Sequence, residues 1–345
     1  METIFVIGGL GFIGVNTVIR LLKKCYQVVI LDNMSRKGTD INYAFLKSNY
    51  SGKFIFEKVD IRNMDALSKI FKKYSNIKAV YHFAAQVAVT TSVVNPREDF
   101  EINALGTFNV IECIRLYSPQ SIILFSSTNK VYGGLEDKDV ILENNRYRYK
   151  NIDQGIDEAT CLDFHSPYGC SKGTADQYVR DYSRIYNIKS VVFRQSCIYG
   201  PHQFGIEDQG WVAWFIIASV LNKPIYIYGD GKQVRDILYI DDLVDLYEIA
   251  LDNINILNGK IYNIGGGYKN AISLLELIAI MEKLLNKKIT FFYSDWRAGD
   301  QKVYISDIRK ITAEIGWMPQ YDWQSGIEKL YDWVIKNKSL LEKIF

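Results

Sequence analysis

The sequence lacks a charge bias, a long hydrophobic run and a cysteine framework. Lysine and arginine total 41 against 39 aspartates and glutamates, a net charge of +2. No general electrostatic case follows for nucleic acid or anionic lipid as a partner. The longest apolar stretch, Trp211–Leu221, has eleven residues with Ser219 inside it. A membrane helix needs about 20, so no membrane association is expected. No cationic stretch precedes the N-terminal apolar run, which ends in glycines after Ile7; it reads as a first strand, not a signal peptide. The five cysteines, Cys25, Cys113, Cys161, Cys170 and Cys197, are odd in number and show neither CxxC nor His/Cys spacing. Neither disulfides nor a metal site is expected, and a reducing cytoplasm fits.

What is present is the pattern of a globular α/β chain. Its 345 residues are 48% hydrophobic and 23% charged, which suits one large domain or two closely joined ones. Short apolar runs at Thr3–Ile7, Val28–Leu31, Lys53–Val59, Ala79–Phe83, Ile122–Ser126 and Ser190–Arg194 read as strands. Helical patterns near Phe12–Lys24, Met64–Tyr74, Glu98–Tyr117 and Tyr168–Tyr186 lie among them. Such alternation predicts a doubly wound parallel sheet, with strands apolar throughout because helices cover both faces. Leu135–Phe164 is polar, tyrosine-rich and without clear period, and reads as an insertion or long loop. After Gly200 a helix near Trp211–Leu221, a strand Ile225–Tyr228 and the turn Gly229-Asp230-Gly231 suggest a smaller lobe. Amphipathic helices at Asp241–Leu251 and Ser273–Leu285 follow, and strand Lys260–Ile264 between them is expected to return to the main sheet.

Gly8-Gly9-Leu10-Gly11-Phe12-Ile13-Gly14 closes the first strand and opens the first helix. Glycines 8, 11 and 14 let the chain turn tightly and let a pyrophosphate approach the free N–H groups and positive end of the helix. Asp32 ends the second strand, 18 residues past Gly14. A carboxylate there accepts hydrogen bonds from a ribose and repels a 2′-phosphate, which favours NAD over NADP; Arg36-Lys37 is the opposing feature. Together these features imply a Rossmann-type unit.

With Tyr168-Gly-Cys-Ser-Lys172 added, the chain resembles the extended short-chain dehydrogenase/reductase family of nucleotide-sugar epimerases and dehydratases. The resemblance runs over nearly the whole length. It takes in Asp60-Ile61, His82-Phe-Ala-Ala-Gln86, Asn103, Phe125-Ser-Ser-Thr-Asn-Lys-Val-Tyr-Gly133, Tyr199-Gly-Pro201, Gln233-Val-Arg-Asp236 and Arg297-Ala-Gly-Asp-Gln301. Asp163-Phe-His-Ser-Pro-Tyr-Gly-Cys-Ser-Lys172, Asp208-Gln-Gly-Trp211, Ser126-Ser-Thr-Asn-Lys130 and Asp32-Asn-Met-Ser-Arg-Lys-Gly38 resemble more narrowly the branch that epimerises CDP-linked hexoses at C2. The resemblance implies NAD, with Gly8, Gly11, Phe12, Ile13 and Gly14 at the pyrophosphate. It puts Asp32, Asn33, Ser35 and Arg36 at the adenosine ribose and Asp60 and Ile61 at the adenine. Ala84, Ala85, Gln86 and Asn103 would lie along the cofactor, with Ser126, Tyr168 and Lys172 adding contacts. Thr128, Asn129, Gln209, Arg235 and Arg297 would hold a nucleotide sugar. Residues 1–200, with return segments near 235–268, would bind NAD; residues 201–234 and 269–345 would bind substrate. The family also implies a homodimer or homotetramer, paired through Glu98–Tyr117 and Tyr168–Tyr186. Two positions depart from the pattern. Ile7 stands where Thr is usual, and Cys197 stands where 4-epimerases and dehydratases often have Asn.

Tyr168 and Lys172, four apart on a helix, share one face. A free phenol has a pKa of about 10. A nearby ammonium and a cationic nicotinamide favour the phenolate, so Tyr168 can act as base with Thr128 bonded to the same sugar oxygen. Dehydratases carry an Asp-Glu pair after the threonine; here Asn129-Lys130 follows Thr128, which leaves epimerisation. His165 reads equally as a substrate contact or a capping residue, and His82 as structural. Trp211, Trp214 and Phe215 read as core before nucleobase platform, with Asp208 and Gln209 nearer the substrate mouth. Three functions stay open: a CDP-hexose 2-epimerase, a UDP-sugar 4-epimerase with the same triad, and an NAD-sensing regulator that has lost turnover.

Overall fold

A computed structural model describes residues 2–297 and 299–345. Seven strands form the main sheet: β1 Thr3–Ile7, β2 Gln27–Asp32, β3 Phe54–Lys58, β4 Ile77–His82, β5 Ile122–Thr128, β6 Ser190–Gln195 and β7 Lys260–Ile264. All neighbours pair in parallel, in the order β7-β6-β5-β4-β1-β2-β3. The order reverses between β1 and β4, the switch point where α/β sheets bind ligands beyond their strand C-termini. Side chains alternate faces along a strand, so Ile4, Val6, Val28 and Ile30 feed one core while Phe5, Ile7, Val29 and Leu31 feed the other. That two-sided burial explains why these strands are apolar without a gap.

Helix α1, Phe12–Lys23, buries Val15, Val18, Leu21 and Leu22 along one stripe, and Arg20 and Lys23 in its last turn suit the negative end of its dipole. Next come α2, Thr39–Asn49, which the sequence pattern did not disclose, and α3, Met64–Lys73, capped by the Asn63 side chain on the Ala66 N–H. The expected helix Glu98–Tyr117 is broken. A short helix Pro96–Phe100 passes through a wider π-type turn, Glu101–Leu105, into α4, Gly106–Tyr117. Such turns gather at functional sites, and this one contains Asn103. Helix α5, Ser166–Tyr186, starts on Pro167, which needs no N–H partner in the first turn, and ends on left-handed Asn187.

The remaining chain folds beside the sheet's C-terminal edge. Strand Val234–Tyr239 pairs with Cys197–Tyr199, Ala271–Ser273 and Val303–Tyr304 in a separate four-stranded sheet, while β7 joins the main sheet beside β6. Helix α6, Trp211–Val220, is buried almost all round. Leu135–Phe164, expected as a loop, contains a hairpin, Val140–Glu143 with Arg146–Tyr149. Its turn, Asn144-Asn145, has both φ positive, the two-residue turn whose twist suits a hairpin. Tyr149 donates to the Val303 carbonyl at 2.8 Å and Tyr147 to Asp230 at 2.7 Å, so the insertion buttresses the smaller lobe. All five cysteines are free thiols. Among the described residues no helix is long and apolar enough to cross a membrane.

Candidate active site

A cleft opens over the C-terminal ends of β1, β2 and β4. Gly8, Gly11, Phe12, Ile13, Gly14, Asp32, Asn33, Ser35, Arg36, Asp60, Ile61, Ala84 and Ala85 line it. Its floor depends on two missing side chains. Gly8 has φ +79°, and a Cβ there would fall 2.5 Å from the Ala84 nitrogen; a Cβ on Gly14 would fall 2.2 Å from the Gly8 oxygen. The Gly11 position is different: its nearest neighbour, the Gly8 oxygen, is 3.3 Å away. Gly8 and Gly14 thus close the turn, while Gly11 leaves the α1 N-terminus open to an incoming group. No side chain caps α1, so its first N–H groups face the cleft.

Asp32 is 9% exposed. It accepts the Leu10 N–H at 3.0 Å on one oxygen and the Met34 N–H at 2.8 Å on the other. Burial pushes its carboxyl up from the usual range, against those two bonds. Each oxygen keeps a further lone pair for a ribose hydroxyl. Asp60 is bound by the Arg62 guanidinium at 2.8 and 3.0 Å, which holds it down at about 2, and it accepts from Asn33 at 3.0 Å. Arg36 is exposed and reaches over the cleft to the Gln209 side chain. The glycine cradle, the open helix end and a carboxylate where a 2′-phosphate would stand fit NAD.

Beside the cleft β5 and α5 carry Thr128, Tyr168 and Lys172, each less than one-tenth exposed, with the Thr128 hydroxyl against the Tyr168 phenol and Lys172 one helical turn on. Lys172 donates to the Ser126 carbonyl at 2.6 Å and lies over the Phe125 ring. Burial brings its ammonium down to about 8 despite Asp176 and Asp99. The Tyr168 phenol is pushed up to about 12 by burial, with Asp99 adding to the rise and the Thr128 hydroxyl and Arg36 opposing it. The expected fall in the tyrosine's pKa therefore does not arise from the protein alone. Lys172 is engaged by a backbone carbonyl, and the cation that would favour phenolate arrives with the cofactor.

A buried network under the pair was not foreseen. Asp99, 1% exposed, accepts from Ser171, from Gln86 at 2.8 Å and from Asn103 at 3.1 Å. Asn103 also accepts the Gln86 N–H at 2.9 Å and donates to the Gln86 carbonyl at 3.0 Å. Its amide is thus spent on holding the loop after β4 against α5. The i, i+4 spacing of Asp99 and Asn103 was the available signal; the π-type turn between them had none. Ser92 accepts the Tyr168 N–H at 3.1 Å. Below β5, Asp176 takes a two-pronged contact from Arg194 at 2.9 Å and a bond from Ser127 at 2.7 Å.

On the far side Arg235, 7% exposed, pairs with Asp300 at 2.6 Å. Arg297 pairs with Asp208 at 2.7 Å and lies 3.8 Å over the Tyr228 ring. Asn129 is buried beside Thr128. Trp211 donates to the Cys197 sulfur at 3.4 Å, while Phe215 lies in the core. His165 meets Asp163 at 3.2 Å. His82 is fully buried on the Thr107 hydroxyl at 2.9 Å, and burial lowers it to about 3; it stays neutral and structural.

Residues 5–330 match the family model described as GDP-mannose 4,6 dehydratase. A CDP-paratose 2-epimerase of Salmonella typhi is 44% identical over 96% of this chain and 98% of that protein. A putative UDP-glucose 4-epimerase of Methanocaldococcus jannaschii is 34% identical over 97% and 99%. Among solved structures, UDP-glucuronic acid 4-epimerase from Bacillus cereus, in complex with UDP-glucuronic acid and NAD, is 28% identical with a TM-score of 0.83 over 97% of this chain and 99% of that one. A dTDP-glucose 4,6-dehydratase from Streptomyces venezuelae, with NAD bound, is 26% identical with a TM-score of 0.85 and full coverage of both chains. Fold, cleft and these likenesses agree: the chain belongs to the GDP-mannose 4,6 dehydratase family of extended short-chain dehydrogenases/reductases, enzymes that use NAD.

Proposed function

We propose that the chain is an NAD-dependent nucleotide-sugar epimerase that inverts C2 of a CDP-linked deoxyhexose, interconverting CDP-paratose and CDP-tyvelose. One observation carries the reading. The Thr128 hydroxyl lies against the Tyr168 phenol with Lys172 one helical turn on, and the residues after Thr128 are Asn129 and Lys130, not an acid pair that could eliminate water. The 44% identity to a CDP-paratose 2-epimerase supports the choice of base and carbon, and Cys197, where 4-epimerases and dehydratases often have asparagine, sets aside the transfer of their sugar contacts.

When bound, NAD supplies the hydride acceptor and donor for a transient oxidation of the sugar. Tyr168 takes the proton of the reacting hydroxyl and returns it. Thr128 holds the same oxygen. Lys172, one helical turn from Tyr168, fixes the nicotinamide ribose. Gly8, Gly11, Phe12, Ile13, Gly14, Asp32, Asn33, Ser35 and Arg36 hold the dinucleotide, with Asp60, Ile61, Ala84, Ala85, Gln86 and Ser126 beside it and Asn103 positioning that wall. Asn129, Gln209, Arg235 and Arg297 hold the nucleotide sugar; Arg235 and Arg297 have the guanidinium forks that suit a diphosphate. Residues 1–200 with 235–268 act as the cofactor unit and the rest as the substrate unit.

The test is incubation with CDP-, UDP-, GDP- and dTDP-sugars in H₂O and D₂O, with products assigned by NMR. A C2 epimer of a CDP-sugar without solvent deuterium at C2 is expected. Deuterium at that carbon would mean deprotonation beside a carbonyl and would remove the oxidation mechanism; turnover of UDP-sugars at C4 would replace the substrate. The assembly is a homodimer or homotetramer through α4 and α5, which expose Leu116, Tyr178, Ile185 and Tyr186. Light scattering at micromolar concentration should give two or four times 39.7 kDa; monomers alone would refute the pairing.

A further inference from the structure

Reaction at C2 makes a demand that reaction at C4 does not. In a nucleoside diphosphate sugar C1 carries the β-phosphate. C2 is bonded to C1, while C4 lies across the ring. Placing C2 at Tyr168 and Thr128 therefore brings the β-phosphate within one carbon of the reacting centre. A phosphate so near the catalytic threonine calls for a cation beside that threonine.

Lys130 stands there. It lies two residues past Thr128 on the short turn Asn129–Tyr132, and its own N–H donates to Thr128 Oγ1 at 3.2 Å. Its side chain, 22% exposed, points toward the smaller lobe: Nζ is 3.8 Å from Asp300 Oδ1 and donates to the Gly299 carbonyl at 3.4 Å. That same Asp300 oxygen accepts Arg235 at 2.6 Å. Two cations thus face a single carboxylate oxygen, Arg235 as a hydrogen-bond donor and Lys130 as an ion pair, and the cluster keeps one positive charge in excess. Burial lowers the Lys130 ammonium from its usual range; Asp300 opposes the fall and Arg235 adds to it. A cation held in that way gains from a second anion.

We propose that Lys130, together with Arg235, holds the β-phosphate of the substrate and that Lys130 selects C2 over C4 as the reacting carbon. The assignment rests on the 2-epimerase reading above, and its test separates the two. Calorimetric affinities for CDP and CMP are compared in wild type, Lys130→Met and Lys130→Arg, each first checked for bound NAD as evidence of folding. CMP lacks the β-phosphate, so it serves as internal control. Lys130→Met should weaken CDP tenfold or more and leave CMP within twofold, whereas Lys130→Arg, which keeps the charge, should retain most of the preference for CDP. In Lys130→Met, kcat/KM for the CDP-sugar should fall at least a hundredfold. Equal weakening of CDP and CMP, or no change in either, overturns the phosphate contact even if wild type inverts C2. A wild type that inverts only C4 overturns the reading beneath it, and the C2 selection with it, whatever the CDP/CMP comparison gives. Should Lys130→Met lack NAD, Lys130→Gln takes its place with the same expected outcome.

Discussion

The two halves of the cleft solve opposite problems. On the cofactor side recognition rests on backbone: Gly8 and Gly14 have no room for even a methyl group, and the open end of α1 has no side chain to move. On the substrate side the arginines suited to phosphate are already paired, Arg235 with Asp300 and Arg297 with Asp208. A nucleotide sugar entering there must compete with carboxylates. The first half is built for a resident and the second for exchange. That suits an epimerase, whose redox cycle closes on itself and regenerates its NAD at every turnover.

The sharpest way to break the contrast is to fill the cradle. Gly14→Ala puts a methyl carbon 2.2 Å from the Gly8 oxygen, so the turn must open. NAD released on denaturation, measured by chromatography, should fall to near zero. Gly11→Ala meets its nearest atom at 3.3 Å and should keep a substantial share of the cofactor. Equal NAD content in the two variants would mean that the turn yields freely and that the cofactor half is not fixed by backbone. Next in size is the proton acceptor at the join. Tyr168→Phe removes the phenol and keeps the ring, so turnover should drop by about 10²–10⁴-fold with NAD still bound. Thr128→Val should cost less, because one hydrogen bond is lost and the base remains. A Thr128→Val variant slower than Tyr168→Phe would sink the assignment of the base.

The same division shows in what could be read from sequence. Elements covered on both faces, such as β1 and β2, announce themselves as apolar runs, and the glycine cradle with Asp32 follows from steric and charge rules local to a few residues. Tyr168 and Lys172 needed only the helix period to be placed together, with Thr128 supplied by the family pattern. Long-range pairings were not legible. Nothing near Arg235 in the chain announces Asp300, 65 residues away, and no local rule marks a π-type turn at Glu101–Leu105. Helix α2 was missed because only Thr39, Asn42 and Leu46 are buried on it, too thin a stripe to give a period. The hairpin at Val140–Tyr149 did carry a signal, Asn144-Asn145 after an apolar run, hidden by the polar composition around it.

A smaller effect tests the exchange side. Asp208→Asn removes the competitor for Arg297 while leaving an amide of the same size. Asp208 is 43% exposed in that pair, and exposed ion pairs are worth about 0.2–1 kcal/mol. Affinity for CDP should therefore rise by no more than about fivefold, and the gain should shrink in high salt. Weaker binding, followed by calorimetry, would mean that Asp208 shapes the mouth and does not block it.

The last effect is read on stability and concerns the buried lysine on the resident side. Lys172 is 4% exposed and sits at about 8, below the ordinary lysine value of 10.5, because burial disfavours its charge. In the unfolded chain the ordinary value returns. Between about pH 8 and 10.5 the unfolded state therefore binds the proton that the folded state has released, and stability rises with pH across that window. Below it both states hold the proton, and the cost of burying the ammonium is paid in full. Replacing Lys172 by Met removes the titration, so the variant is the reference that cancels every other group. For NAD-free protein, the midpoint of thermal unfolding in wild type should gain on Lys172→Met as pH rises through the window. The gain has a ceiling of about 1.4 kcal/mol per pH unit. NAD should alter it, since a cationic nicotinamide beside Lys172 disfavours the ammonium further and moves the window to lower pH. A difference between wild type and variant that stays flat from pH 7 to 10 would place Lys172 in contact with water, and the dry, fixed character assigned to the cofactor half would fail at that residue.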